Sequence, residues 1–251
     1  MLEAVEQLLL PAECALCHTL SSPANARRLV CDVCRHRWRP VRAPWCVRCG
    51  QPEPRFGPCR LCADWPRALT VARSAVWLDA GARDAVHALK YHGLPRMADD
   101  LAATLARVVL PLAERDSAWL VPVPLGARRQ RERGYNQSAH LAQALARHWQ
   151  RPVAELLVRT RETTTQTALT PEARLANVAG AFEVRNAECG VRSDGTPVDS
   201  ALRIPHSTLV LVDDVFTTGA TLAEAARVLE RAGARTVMAV TFGRAVLPDF
   251  S

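Results

Sequence analysis

Residues 209–221 read Leu-Val-Leu-Val-Asp-Asp-Val-Phe-Thr-Thr-Gly-Ala-Thr, and that order leaves the chain few options. Four apolar residues in succession fit a strand buried on both faces of a parallel sheet. Asp213 and Asp214 then fall at its carboxyl end, where open α/β sheets bind ligands. Thr217, Thr218, Gly219, Ala220 and Thr221 make a short loop. Leu222 to Arg231 reads as a helix with Leu222, Ala225, Ala226 and Leu229 on one face. A helix N-terminus behind a glycine turn offers N–H groups and a positive dipole end to a phosphate, and three threonines add hydroxyls. Two acids in the same place would repel a bare phosphate. They make sense as holders of neutral sugar hydroxyls, or of a divalent cation bound with the ligand. A turn whose acids only cap the helix, or the acid pair of a phosphoacceptor or hydrolase site, fits the same residues.

The second constraint lies at the other end of the chain. Eight of the nine cysteines form four Cys-x-x-Cys pairs: Cys14/Cys17, Cys31/Cys34, Cys46/Cys49 and Cys59/Cys62. Each such turn aims two sulfurs at one point, so two turns complete a tetrahedral S₄ shell. Two structural zinc ions are expected. Sequential pairing puts Cys14, Cys17, Cys31 and Cys34 on one ion and Cys46, Cys49, Cys59 and Cys62 on the other, and an interleaved arrangement satisfies the same spacing. A disulfide framework would need an oxidising compartment, and no export signal is legible, so a reducing cytoplasm is expected. A thioredoxin-like redox pair lacks its βαβ context, and an iron–sulfur cluster is a further option. His18 and His36 stand beside ligand cysteines but are surplus to two closed Cys₄ shells. So short a segment gains its folding energy from metal, and chelation is expected to unfold it while sparing the rest of the chain.

The formal charge of +7 suggests nucleic acid, but two observations weaken that hint. Of the 32 basic residues 31 are arginine, with Lys90 alone, a bias of composition rather than of design. Eight thiolates offset by two Zn²⁺ also remove four charges, leaving about +3. Arg35, Arg37, Trp38 and Arg39 form an arginine–aromatic interleave that can stack on single-stranded bases, and that fits a solvated face with a packing tryptophan equally well. No apolar run is long enough to span a membrane. Met1 to Pro11 suits a short amphipathic helix.

From Thr70 onward strands and helices alternate, which implies α/β architecture with a mostly parallel sheet. Strands are expected at Thr70–Asp79, Ala118–Val123, near Val153–Val158 and at Thr236–Phe242, and helices at Ala82–Tyr91, Met97–Arg115 and Gln137–Trp149. Val121-Pro122-Val123-Pro124-Leu125 is a strand exit stiffened by two prolines. Arg128, Arg129, Arg131 and Arg133 follow it and can clamp phosphate oxygens. Tyr135, Asn136 and Gln137 open the next helix as further donors. The polar stretch 159–177 is long enough for a lid, with a helix start at Thr170-Pro171. Residues 186–207 read as an exposed excursion, with Cys189 isolated in it.

Residues 209–221 resemble the phosphoribosyl pyrophosphate (PRPP) signature of type I phosphoribosyltransferases. The four cysteine pairs, Lys90-Tyr91-His92-Gly93, Val121–Leu125, Arg133–Gln137, Gln166–Leu169 and Arg174–Val178 narrow the resemblance to the ComF family of competence and DNA-utilisation proteins. The resemblance implies a double zinc ribbon over 1–68 and a phosphoribosyltransferase-like domain over 69–251. It implies that Asp213 and Asp214 bind the ribose hydroxyls as the catalytic acids, and that Thr217 to Thr221 grip the 5′-phosphate. It puts pyrophosphate beside Val123, Pro124, Arg128, Arg131 and Arg133, with Mg²⁺ arriving on PRPP. The implied activity is a PRPP-dependent transfer to an acceptor that the residues do not identify. The alternative is a non-catalytic competence factor that binds single-stranded DNA, works with other DNA-uptake proteins and senses PRPP or a nucleotide. Glutamine-dependent relatives carry an amidohydrolase domain where this chain carries cysteines, so glutamine use is not implied.

Overall fold

The computed structural model describes residues 13–21, 28–52, 59–91, 93–161, 177–185, 204 and 206–246. Its centre is a four-stranded, wholly parallel sheet in the order β1-β6-β5-β2. The strands are β1 (Leu69–Trp77), β2 (Trp119–Pro122), β5 (Thr208–Phe216) and β6 (Thr236–Arg244). Alternation along β5 and β6 divides the core. Val210, Val212, Met238, Val240 and Phe242 face one side, and Leu209, Leu211, Val237 and Ala239 face the other. Apolar residues at consecutive positions thus satisfy a strand covered on both faces. The first face is covered by α2 (Ala80–Tyr91), α3 (Met97–Leu105) and α6 (Gln137–Trp149), and the second by α7 (Ala220–Arg231).

The expected helix over Met97–Arg115 is instead two: α3 ends at Leu105, and α4 runs from Leu112 to Ser117. Pro111 has no N–H to continue the first helix and sits at the N-cap of the second. The Ala106 carbonyl accepts a hydrogen bond from Trp149 Nε1 at 3.1 Å. The strand expected near Val153–Val158 is also split. Val153 makes a single parallel bridge to Leu120, while β3 (Leu157–Arg159) pairs antiparallel with β4 (Phe182–Val184) in a separate ribbon. The readings of Met1–Pro11, Gln166–Leu169, Thr170-Pro171 and Cys189, with most of 159–177 and 186–207, lie outside the described residues.

The cysteine-rich head is built into this body. It contributes α1 (Asp32–His36) and a short 3₁₀ turn at Arg60–Cys62. Cys14, Val30, Cys34 and Trp38 join the core on the α2–α3–α6 face, whereas Cys49, Cys62 and Trp65 join the core on the α7 face. Between these two groups the chain lies along the outer edge of β1. Pro40 bridges Val76 antiparallel, Trp77 donates to the Arg39 carbonyl at 2.8 Å and Ala72 to that of Arg48 at 2.7 Å. The head thereby covers an edge strand that would otherwise be open to pairing with another chain.

Candidate PRPP site and cysteine centres

β2 stops pairing with β5 at Pro122 opposite Val212, while β5 continues beside β6 as far as Phe216. A crevice opens where β2 ends, and Asp213 and Asp214 line it together with Lys90, Val123, Ser138 and Gly219. The cavity is about 840 Å³. Six basic residues line it (Arg83, Lys90, Arg128, Arg129, Arg133 and Arg159) against three acids, Glu132, Asp213 and Asp214. That balance suits a polyanion whose neutral part meets the acids.

The two acids have different surroundings. Asp214 is buried, and its Oδ2 lies 2.5 Å from Lys90 Nζ. The pair is a contact ion pair whose angle is not that of a hydrogen bond. Asp213 sits low in the cavity wall and accepts from Ser138 Oγ at 2.9 Å and from the Asp214 N–H at 2.9 Å. Burial, then the charge of Asp214, raises its pKa from 3.8 to about 7, against the opposing pull of Lys90 and the two hydrogen bonds.

The loop after the acids is shorter than the sequence suggests, because Ala220 and Thr221 already belong to the first turn of α7. Gly219 has φ 79°, in the left-handed region, and a Cβ there would lie 2.8 Å from Trp65 and 2.9 Å from Phe216. Only glycine serves on both counts. Thr218 is buried and accepts from the Ala220 N–H at 3.4 Å, whereas Thr217 and Thr221 line the cavity. On the opposite wall Val123, Pro124, Arg128 and Arg133 are present, while Arg131 is exposed and not part of the lining. Arg128 and Arg133 project from α5 (Ala127–Arg133), which ends at Gly134 in the left-handed region.

Of Tyr135, Asn136 and Gln137, expected as ligand donors, Tyr135 and Gln137 line the cavity, and all three also hold the framework. Asn136 caps α6 by accepting from Ser138 N at 3.0 Å and donates to the Val123 carbonyl at 3.1 Å. The Tyr135 hydroxyl donates to the Leu89 carbonyl. Gln137 is buried and accepts from Arg133 at 2.8 Å. Sequence reasoning missed Ser138, for which there was no local signal. On the face of α2 that lines the cavity, Lys90 and Tyr91 are legible only as part of the family resemblance, and Arg83, Val86 and His87 are missed. Their three- and four-residue spacing was a legible signal.

The cysteines gather in the sequential arrangement, Cys14 with Cys17, Cys31 and Cys34, and Cys46 with Cys49, Cys59 and Cys62. The ligand atoms of each group lie within 4.8 Å of one another, with Cys17–Cys31 and Cys46–Cys62 sulfurs 3.7 Å apart and Cys49–Cys59 3.6 Å. Four sulfurs at about 2.3 Å from a tetrahedral zinc would be about 3.8 Å apart, so the donor sets fit that ion. N–H groups of Leu16 and Cys31 point at Cys14 Sγ, and that of Cys34 at Cys31 Sγ, at 3.4–3.5 Å. Such donors stabilise thiolates. Without metal, burial pushes Cys62 up to about 12 and Cys34 and Cys49 higher still, so zinc must displace their protons. His18 and His36 stand outside both groups; His36 Nδ1 bonds the Asp32 carbonyl at 2.7 Å. Trp38 is buried edge-on against Phe242 at 5.0 Å, so the packing role is the one its ring fills. Metal analysis of protein purified under reducing conditions is expected to give two zinc ions per chain, and protein without zinc would contradict this.

The double zinc ribbon domain model matches residues 5–64, and the phosphoribosyl transferase domain model matches residues 136–245. A DNA utilization protein YhgH from Salmonella typhimurium is 33% identical over 242 residues, covering 92% of this chain and 96% of its own. Competence protein ComFC of Bacillus subtilis is 26% identical over 222 residues, covering 86% and 84%. Competence protein F of Haemophilus influenzae is 34% identical over 152 residues, covering 57% and 60%. Among the described residues no helix is long and apolar enough to cross a membrane.

Proposed function

Because the chain belongs to the ComF family, with a double zinc ribbon ahead of a phosphoribosyltransferase domain, we propose that the crevice at Asp213–Thr221 binds PRPP. The observation that carries this reading is one strand–loop–helix bringing an acid pair and a helix N-terminus into a single cavity rich in arginine. In this reading Asp213 and Asp214 hold the ribose hydroxyls. The loop from Thr217 to Thr221 holds the 5′-phosphate with N–H and hydroxyl donors. Val123, Pro124, Arg128 and Arg133 meet the pyrophosphate, and exposed Arg131 reaches it only if the chain closes. Mg²⁺ arriving with PRPP would supply charge neutralisation for the leaving pyrophosphate. The chain's own part in a transfer is to orient C1 and to draw charge onto the leaving group as C1 gains oxocarbenium character. Sequence units 1–68 and 69–251 act in this reading as one structure joined through a shared core, in the cytoplasm. The test of binding is calorimetric titration with Mg²⁺–PRPP. The test of transfer is pyrophosphate release that depends on an added acceptor.

A second reading has its own observation. A groove of about 610 Å³ runs between head and body, lined by Arg28, Arg35, Arg42, Arg73 and Arg107 with Trp45, against the carboxylate of Asp32. Arg73 stacks on Trp45 at 5.5 Å. Basic groups beside an aromatic suit single-stranded DNA, and relatives of this chain bear DNA-utilization and competence names. The chain then serves DNA uptake as a non-catalytic factor, with PRPP or a nucleotide as a signal. Fluorescence anisotropy with a labelled oligonucleotide is expected to show affinity falling steeply between 50 and 200 mM salt, on the order of 10²-fold or more. Absence of binding at the lowest salt would remove this reading.

A further inference from the structure

Lys90 is the one lysine in a chain that uses arginine at every other basic position. It is also in contact with the acid pair: its Nζ lies 2.5 Å from Asp214 Oδ2, and its side chain is largely buried. Contacts on both sides of it put it there. The carbonyl of Leu89, one residue before it, accepts from the Tyr135 hydroxyl. Tyr91, one residue after it, is covered by the Arg133 guanidinium at 4.9 Å and accepts from Arg133 Nη2 at 3.2 Å. The segment Arg133–Tyr135 therefore clamps the end of α2 on both sides of Lys90. A guanidinium is planar and holds its donors in a fixed fork, whereas an ammonium is compact and its three donors turn freely.

We propose that Lys90 is a positioning residue of the PRPP site, whose ammonium holds the Asp214 carboxylate in the empty cavity and yields it to the ribose hydroxyls as the anionic ligand enters. This rests on the reading of Asp213–Thr221 as that site. A buried carboxylate without a counter-charge or hydrogen-bond donors takes up a proton instead, so before the ligand enters a cation that can let go keeps Asp214 charged. With the hydroxyls in place, the released ammonium faces a ligand carrying several negative charges, which it attracts.

The test is Mg²⁺–PRPP titration of K90M, K90A and K90R beside the unaltered zinc-loaded protein, each first shown to melt cooperatively. K90Q replaces K90M if the latter does not fold. K90M is expected to raise the dissociation constant at least tenfold, K90R to recover only part of that loss, and ethylammonium to restore affinity to K90A without affecting the unaltered protein. Unchanged affinity in K90M and K90A, full recovery in K90R, or a loss in K90A that ethylammonium does not relieve would each overturn the proposal while leaving the PRPP site standing. Failure of the unaltered protein to bind PRPP would remove both.

Discussion

Arg244→Met melts about 10 °C below the unaltered protein, a loss of about 3 kcal/mol for a chain of this size. Arg244 is completely buried at the end of β6. It donates to Gln51 Oε1 at 2.8 and 3.2 Å and to the Cys49 carbonyl at 2.9 Å, and its guanidinium lies 4.1 Å over the ring of Phe216. Removing it strands two buried acceptors, each costing about 1–3 kcal/mol. It also removes a positive charge close to a cluster of four thiolates. Burial pulls its pKa down to about 10, and the neighbouring Cys49 sulfur pushes in the opposite direction, as expected of a counter-ion to that cluster.

The consequence extends to the phosphate loop. Phe216 leads into that loop, Gly219 touches both Phe216 and Trp65, and Trp65 is tied to the second cysteine group through Arg48. Arg48 donates to the carbonyls of Cys62, Trp65, Pro66 and Leu69 at 2.8–3.2 Å. Chelation is therefore expected to loosen the loop at Thr217–Gly219 as well as the head, a different outcome from the separable head that the spacing of the cysteines suggests. Differential scanning fluorimetry of Arg244→Met, with and without a zinc chelator, checks the interlock. A melting temperature within 2 °C of the unaltered protein would contradict it.

Asp213→Asn stabilises the protein at pH 8 and abolishes PRPP binding. The Asp213 carboxyl titrates near 7 in the folded chain and near 4 when unfolded. Between those values the folded state keeps a proton that the unfolded state has lost. Stability accordingly falls as pH rises through this window, and the cost is complete above about pH 7. Asparagine can still accept from Ser138 and from the Asp214 N–H but carries no charge, so it escapes that cost. The gain is about 2 kcal/mol at pH 8, discounted because the carboxyl still meets solvent in the cavity, and it vanishes near pH 4. Urea denaturation of both proteins at pH 4.5 and pH 8 measures it. An equal difference at the two pH values would show that the acid pair is not under strain. Stability withheld at a binding site is a familiar trade, and here it is the charge that the ribose hydroxyls are proposed to meet.

What the sequence disclosed follows from how far apart the participating residues lie. The strand, loop and helix of Thr208–Arg231 are consecutive, so their order could be read directly, with only the helix start displaced. Each cysteine pair is local too, and the sequential grouping of the pairs agrees with the spacing. The rest of the site is assembled across the fold. Ser138 reaches Asp213 over 75 positions, Arg244 reaches Gln51 over 193, and nothing local marks Ser138, Gln51 or Arg244 for these roles. The break after Leu105 is only partly of this kind: Pro111 marks it locally, while the indole that takes the Ala106 carbonyl comes from α6. Trp38 was open to two interpretations because the ring that decides between them, Phe242, belongs to the last strand.

The central claim is that the crevice after β5 takes PRPP through its acid pair. Isothermal titration of Mg²⁺–PRPP into zinc-loaded protein, beside Asp214→Asn of matched melting behaviour, tests it most directly. The expected result is saturable binding at one site per chain in the unaltered protein and at least a hundredfold weaker binding in Asp214→Asn. Equal affinity in the two proteins, or no heat of binding in the unaltered one, would contradict it.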